Sequence, residues 1–161
     1  MAQITAKMVA ELRAKTGAGM MDCKKALEEA GGDFDQAVDL LRKKGLATAA
    51  KKAGRVAAEG RVYAMVRENG RLGAMVEVNC ETDFVGRGET FIDLCRQVTE
   101  VVLEKNPADM DALNQLVGDT VREAIVRTGE NMTVRRFVRY EVERSGLVHS
   151  YLHGDGRVGV L

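Results

Sequence analysis

Side chains suited to chemistry are few and scattered in this chain of 161 residues. Its two histidines, His149 and His153, lie four residues apart in a segment that reads as a strand. That spacing separates them by about 13 Å, too far to share one metal ion. No phosphate-binding loop or complete dinucleotide fingerprint occurs, and no acidic or Cys/His group has ligand spacing. We therefore expect a binding protein with no catalytic residue, no metal site and no cofactor, and not an enzyme.

The composition narrows the class of protein further. Twenty-four basic residues balance 24 acidic ones, so the formal net charge of zero argues against a general nucleic-acid or membrane binder. The three cysteines, Cys23, Cys80 and Cys95, form no CxxC pair and cannot all pair with one another. This pattern is typical of a reducing compartment. We expect a cytoplasmic location, no specific nucleic-acid partner and no membrane partner.

One short segment presents an apolar side chain in a polar, glycine-flanked setting. Thr82, Asp83, Phe84 and Val85 follow a predicted strand and precede two glycines. The segment should form a tip that projects from the sheet. Two interpretations of Phe84 remain open at this point: the ring folds back over the following helix near Phe91, or it is available to a partner.

The first module, residues 1–45, has the apolar periodicity of three short helices. The second helix should begin near Gly19, and the third should be capped by Asp33 and stopped by Gly45. The second helix is expected to bury Met20, Cys23, Ala26 and Leu27. Such a module is small enough to serve as a docking bundle.

A basic segment follows the first module. Residues 46–59 are rich in Ala and Lys, and residues 42–61 contain seven basic side chains against one acidic side chain, a local charge of +6. One interpretation is a solvated helical linker between modules. The other is a contact strip for an acidic partner.

Residues 60–144 predict an α+β subdomain in the order ββααβ. Asn69 and Gly70 separate two segments of period two, which predicts a hairpin with a type I′ turn. Residues 91–103 and 112–126 read as helices packed on an antiparallel sheet. The last strand, residues 132–142, should place one set of side chains on one face: Val134, Val138, Tyr140 and Val142.

The end of the chain repeats the first hairpin. At an offset of 86, residues 60–75 align without gaps with residues 146–161, with five identities and an Asn69/Asp155 match in the turn. Residues 145–161 should therefore begin a second, related subdomain that is incomplete in this chain.

Two longer segments closely resemble the signature stretches of bacterial elongation factor Ts. They are TGAGMMDCKKALEEAGGDFDQAV at residues 16–38 and EVNCETDFVGR at residues 77–87. RTGENMTVRR at residues 127–136 and SYLHGDGRVGVL at residues 150–161 follow in the family's order. The resemblance implies a ubiquitin-associated-like three-helix bundle and two related α+β subdomains. Longer family members continue beyond these segments, so the chain is expected to be C-terminally truncated, which leaves its homodimerisation open.

The resemblance also implies a function and a partner. The family exchanges guanine nucleotide on elongation factor Tu, and the residues matching Asp83 and Phe84 enter that GTPase near its magnesium and phosphate site. Thr82 and Val85 belong to the same motif.

A second set of candidate contact residues lies outside the tip. Because Met20 and Met21 are adjacent, one should face the core and the other a cavity on the partner, or both lie at the edge of the core. By the resemblance, Arg13 and Lys24 would pair with acidic groups on the GTPase. His153 matches a position that contacts the GTPase in the family, although a lone histidine on a strand is more often structural.

Two other functions fit parts of the sequence. A ubiquitin-associated-like adaptor would dock proteins without driving exchange, but it has no use for the projecting tip. An RNA- or ribosome-associated protein would use the basic residues of 42–61.

Overall fold

The computed structural model describes residues 4–161, so the first three residues of the predicted 1–45 module lie outside the described residues. The helices in this range are α1 (Ala6–Thr16), α2 (Met20–Glu29), α3 (Phe34–Lys52), α4 (Asp83–Gly86), α5 (Glu89–Lys105) and α6 (Met110–Thr128). The strands are β1 (Glu59–Arg67), β2 (Leu72–Cys80), β3 (Met132–Glu141), β4 (Tyr151–His153) and β5 (Val158–Val160). None of these helices is long and apolar enough to cross a membrane. The predicted α+β class with antiparallel hairpins is confirmed.

Helices α1, α2 and α3 form the predicted three-helix bundle. Leu12, Cys23 and Leu27 are fully buried at its centre. The predicted cap is also confirmed, because the Asp33 carboxylate accepts a hydrogen bond of 2.8 Å from the Gln36 amide at the start of α3. The likeness of this bundle to ubiquitin-associated domains stays a prediction.

The predicted end of α3 at Gly45 is wrong, since the helix continues to Lys52. Gly45 is buried against α6, where an added Cβ would lie 3.2 Å from the Val126 side chain. Glycine inside a helix costs about 1 kcal/mol relative to alanine, and here it permits close packing of two helices. Ala49, one turn further on, is part of the main core. The division into residues 1–45, 46–59, 60–144 and 145–161 stays a prediction.

Helices α5 and α6 cover one face of an antiparallel sheet with strand order β1-β2-β3. Six of the nine residues of central strand β2 are buried, and the other three are half-buried. The largest fully buried side chains between the helices and the sheet are Phe91, Leu94, Leu113, Val76, Val78, Val98, Val102 and Val117. Truncating a buried aromatic such as Phe91 to alanine typically costs about 3–5 kcal/mol. This core therefore gives a rigid support to the turns and short segments at the ends of its strands.

The prediction that Val134, Val138 and Tyr140 share one face of β3 is wrong. The pairing with β2 passes from Val78 with Val134 to Glu77 with Arg136, so Arg135 is an extra residue in a β-bulge. Because side chains alternate along a strand, this one insertion reverses the faces beyond it. Val134 consequently faces the helices, whereas Val138 and Tyr140 lie on the opposite face. Val142, predicted on the same face, lies beyond the end of β3.

The second hairpin copies the first, as predicted. Its strand pairs Tyr151 with Val160 and His153 with Val158 lie 86 positions from the pairs Met65 with Ala74 and Arg67 with Leu72 of the first hairpin. The matched turn residues share a positive φ, 52° at Asn69 and 54° at Asp155. The first turn is longer than the predicted two-residue turn, because four residues, 68–71, separate the last strand pair.

The two hairpins also hold each other through equivalent contacts. The Val62 amide donates to the Gly156 carbonyl and the Val148 amide donates to the Gly70 carbonyl, both at 2.7 Å. The two donor residues, Val62 and Val148, are 86 positions apart, and so are the two acceptor residues, Gly70 and Gly156. The repeat thus forms a pseudo-symmetric pair in which each hairpin binds the turn of the other.

Gly60, near the start of β1, cannot be replaced without strain, because of both its backbone conformation and the atoms packed around it. Gly60 has φ +142°, and an added Cβ would lie 2.2 Å from the Val78 carbonyl oxygen. Its repeat counterpart, Gly146, has φ +134° but meets no atom closer than 3.5 Å. The positive φ disfavours residues other than glycine at both positions, but only at Gly60 would a Cβ also clash with neighbouring atoms.

We expect Gly60→Ala to lower the free energy of unfolding by about 2–4 kcal/mol, and Gly146→Ala by about 1 kcal/mol. Urea unfolding measures both. Gly54→Ala is the control, because Gly54 has open space around it and no positive φ, and its stability should change little. Equal losses for Gly60→Ala and Gly146→Ala would contradict the steric argument.

Candidate partner-binding site

The predicted tip, residues 82–85, comprises the N-cap and the first three residues of the one-turn helix α4, shortly after the end of β2. The Thr82 hydroxyl oxygen accepts a hydrogen bond of 3.3 Å from the Val85 amide and so caps the helix. The Phe84 side chain is 85% exposed, whereas Phe91 is fully buried. Phe84 therefore does not fold back into the core beside Phe91 and projects into solvent.

The opposite side of the tip is anchored to the core. Val85 packs against the main apolar cluster, and Gly86 is buried where an added Cβ would lie 3.3 Å from the Cys80 sulfur. The Asp83 carboxylate is 3.2 Å from the Arg87 guanidinium in an exposed ion pair. Such surface pairs contribute only about 0–1 kcal/mol, so Asp83 can exchange this partner for another at little cost.

Two glutamates hold the base of the tip. The Glu130 carboxylate accepts hydrogen bonds from the Glu81 amide (3.1 Å), the Thr82 amide (3.0 Å) and the Thr82 hydroxyl (2.6 Å). In return, the Glu81 carboxylate accepts a bond of 2.6 Å from the Asn131 amide and lies 3.5 Å from the Arg55 guanidinium. The Asn131 side chain donates to the Arg55 carbonyl at 2.8 Å.

Neither glutamate is among the site residues predicted from the sequence. The available signal was the polar GEN stretch of RTGENMTVRR, which stands between a helix and the strand that pairs with β2.

The environment of the tip base shifts two pKa values. The Asn131 amide, helped by Arg55, lowers the pKa of Glu81 below its usual value. Burial, together with the nearby Glu130 carboxylate, raises the pKa of Cys80 to about 11. The Cys80 thiol is therefore protonated at neutral pH and lies 3.1 Å from the Thr82 carbonyl oxygen, to which it donates. It serves as a structural donor and not as a nucleophile.

The candidate residues of the bundle lie on α1 and α2. Met20 and Met21 are 47% and 62% exposed, so the predictions that Met20 points inward and that one of the pair faces the core are wrong. Both belong to the first turn of α2, and the first buried residue of this helix is Cys23. Lys24 forms an exposed ion pair of 3.8 Å with Glu28. Arg13 is exposed and forms no ion pair within residues 4–161.

His153 lies on β4 of the second hairpin and is exposed, with its Nδ1 atom 2.9 Å from the Tyr151 hydroxyl. His149 precedes β4, so the two histidines do not share a strand. The described part of the chain holds no cluster of three His, Cys, Asp or Glu suited to a metal ion. The candidate residues thus lie on three separate structures: the tip, the bundle and the second hairpin.

Part of the basic segment, residues 42–61, is used internally. Lys44 pairs with Asp22, Lys52 donates to the Gly129 carbonyl, and Arg55 pairs with Glu81. These three contacts hold α3 and the segment after it against their neighbours.

The fold and the tip define an α+β protein with an N-terminal helical bundle, a repeated hairpin and a projecting aromatic. The sequence model of the family described as "Elongation factor TS" matches residues 81–161. The chain belongs to the elongation factor Ts family.

Curated relatives agree over almost the entire chain. A protein named Elongation factor Ts from Symbiobacterium thermophilum is 70% identical over 161 residues, which cover 100% of this chain and 53% of the relative. Its namesake from Clostridium perfringens is 54% identical over 98% of this chain and 54% of its own length. Another from Desulfovibrio desulfuricans is 51% identical over 100% of this chain and 57% of its own. The chain therefore spans about half the length of the curated relatives it matches.

The lowered pKa of Glu81 predicts a pH-dependent contribution to stability. Its ionised form is favoured in the folded state, so the contribution is present above the usual value of 4.5 and is lost as pH falls through the lower folded value. We expect Glu81→Gln to lower the urea midpoint at pH 7 and the deficit to shrink below about pH 4.5. Glu143→Gln, at an exposed position, is the control. A deficit that stays constant down to pH 3 would exclude this role.

Proposed function

We propose that this chain binds elongation factor Tu and promotes GDP release from it, acting as a guanine nucleotide exchange factor in translation. The observation that carries the proposal is the Phe84 ring, largely exposed on a short helix whose base is held by Glu130. Membership of the elongation factor Ts family supports the choice of partner. No covalent bond is made or broken in this function. A cytoplasmic location and the absence of nucleic-acid and membrane partners stay predictions.

The tip would act as a wedge near the magnesium and phosphate site of the GTPase. Burying an aromatic ring on association gains about 1.5–3 kcal/mol, which favours the GTPase conformation that accepts the ring. A GTPase holds its nucleotide through phosphate and magnesium contacts. A shift of the elements that make these contacts therefore weakens nucleotide binding. The carboxylate of Asp83 adds repulsion toward phosphate or competes for the ion. By linkage, bound nucleotide weakens this chain's binding by the same factor.

The bundle would supply docking instead of nucleotide displacement. Met20 and Met21 offer two adaptable apolar side chains, which suit a cavity on a protein partner. Arg13 and Lys24 are exposed on the same bundle as the methionine pair. Charges at the rim of an interface affect the association rate more than the affinity, so these two residues would mainly speed association. His153, on the second hairpin, would give a further contact.

A second candidate function is an adaptor that binds its partner through the bundle without exchange. The exposed methionine pair favours it, because this surface lies on a different element from the tip. The two functions differ in one observable: an adaptor forms a complex with elongation factor Tu but leaves the rate of GDP release unchanged.

We expect Phe84→Ala to slow GDP release by about 10- to 100-fold, since the mutation removes the apolar area that drives insertion. Stopped-flow fluorescence of labelled GDP leaving elongation factor Tu gives the rate. Thermal unfolding should be nearly unchanged, because the ring makes little contact with the fold. Leu116→Ala, at a half-exposed apolar position on α6, is the matched control. A release rate equal to that of the unmodified chain would rule out the wedge.

We expect the double variant Met20→Ala/Met21→Ala to weaken binding to elongation factor Tu by about tenfold or more, while leaving the saturated rate of GDP release close to normal. Calorimetric titration gives the affinity. Val56→Ala, at another exposed aliphatic position, provides the comparison. Unchanged affinity in the double variant removes the bundle from the interface.

A further inference from the structure

The tip and the turn between α6 and β3 are adjacent because two strands end together. The last strand pair of β2 with β3 joins Cys80 to Met132. Beyond this pair the chain continues through Glu81 into the tip on one side, and backward through Asn131 into the turn on the other. Residues 48 positions apart in sequence thereby come into hydrogen-bond contact.

The Glu130 carboxylate determines how the Thr82 hydroxyl is oriented. An ionised carboxylate only accepts hydrogen bonds, so the hydroxyl must donate its proton to Glu130 at 2.6 Å. This orientation leaves an oxygen lone pair for the Val85 amide, the bond that caps α4. The Thr82 amide also donates to Glu130. Both the main chain and the side chain of the capping residue are thus held by one carboxylate.

A one-turn helix depends on such external support. Forming a first helical turn fixes several dihedral angles for a single hydrogen bond and is unfavourable in isolation. Helix α4 has only four residues, and its largest side chain, Phe84, faces solvent. The direction of Phe84 is therefore set by the cap below it and by the packing of Val85 behind it.

We propose that Glu130 is a positioning residue of the exchange tip: through Thr82 it holds α4 in the conformation that presents Asp83 and Phe84 to the GTPase. This proposal rests on the proposed function, because it concerns the same tip. Glu130 itself acts through Thr82 and need not touch the partner.

The variants separate loss of the contact from loss of charge. Glu130→Ala removes all three accepted bonds. Glu130→Gln can keep its single amide oxygen for the two backbone amides, but it then places an NH2 group, which only donates, beside the Thr82 hydroxyl, so the effect should be intermediate. Glu143→Ala removes a carboxylate at an exposed position and serves as the control.

The first test requires no partner. Amide hydrogen exchange, followed by NMR on the chain alone, should be about tenfold or more faster at Glu81 and Thr82 in Glu130→Ala, and intermediate in Glu130→Gln. Glu143→Ala should match the unmodified chain. If Glu130→Ala unfolds, Glu130→Gln decides the question. Unchanged exchange at Thr82 in a folded variant would overturn the proposal.

The second test is a double-mutant cycle on GDP release from elongation factor Tu. Glu130→Ala should slow release in the unmodified chain and have a much smaller effect once Phe84→Ala is present, because only the contribution of Asp83 is then left to lose. An equal slowing in both backgrounds would show that Glu130 acts elsewhere and would overturn the proposal. If the unmodified chain does not accelerate release, the proposed function fails, and the amide measurement alone decides whether Glu130 positions the tip.

Discussion

The antiparallel pairing of β2 with β3 fixes where the tip leaves the core and which turn lies beside it. Strand β2 pairs on both edges and is buried beneath α5 and α6, so its end at Cys80 is a fixed point. The tip begins at that point, and the pairing with Met132 brings the α6–β3 turn beside it. A projecting aromatic is useful for binding only if its direction is maintained, and this strand end maintains it.

The two faces of the sheet have different neighbours. The helices cover one face, whereas the second hairpin packs near the first turn on the other. An added Cβ at Gly73 would meet the Val148 side chain at 2.5 Å, and one at Gly159 would meet Val62 at 2.7 Å. These contacts are again related by the offset of 86, so the absence of side chains at matched positions lets the two hairpins approach each other symmetrically.

Local features of the fold were predictable from the sequence. The Asp33 cap, the period-two hairpin and its copy at an offset of 86 depend on neighbouring residues, and the structure confirms them. The polar, glycine-flanked setting of Phe84 allows either a ring folded back toward Phe91 or an exposed ring, and only the family resemblance favours the exposed position that the structure shows. These signals are short in range, so a single sequence contains them.

The remaining features depend on tertiary contacts. Gly45 reads as a helix stop, yet packing against Val126 keeps it inside α3. The bulge at Arg135 leaves no clear pattern in the sequence but reverses the faces of the strand beyond it. Glu130 and Thr82 are 48 residues apart, so no local pattern pairs them. Met20 has the spacing of a core residue but is 47% exposed in the first turn of α2.

In the proposed mechanism, Phe84 enters elongation factor Tu near its bound nucleotide. Phe84 can be replaced by photoreactive p-benzoylphenylalanine, irradiated with the GTPase, and the crosslinked peptides identified by mass spectrometry. The wedge mechanism predicts crosslinks to peptides of the nucleotide site that decrease when GDP is added in excess, because binding of tip and nucleotide is reciprocal. Crosslinks to a distant surface, or crosslinks that GDP does not affect, would contradict it.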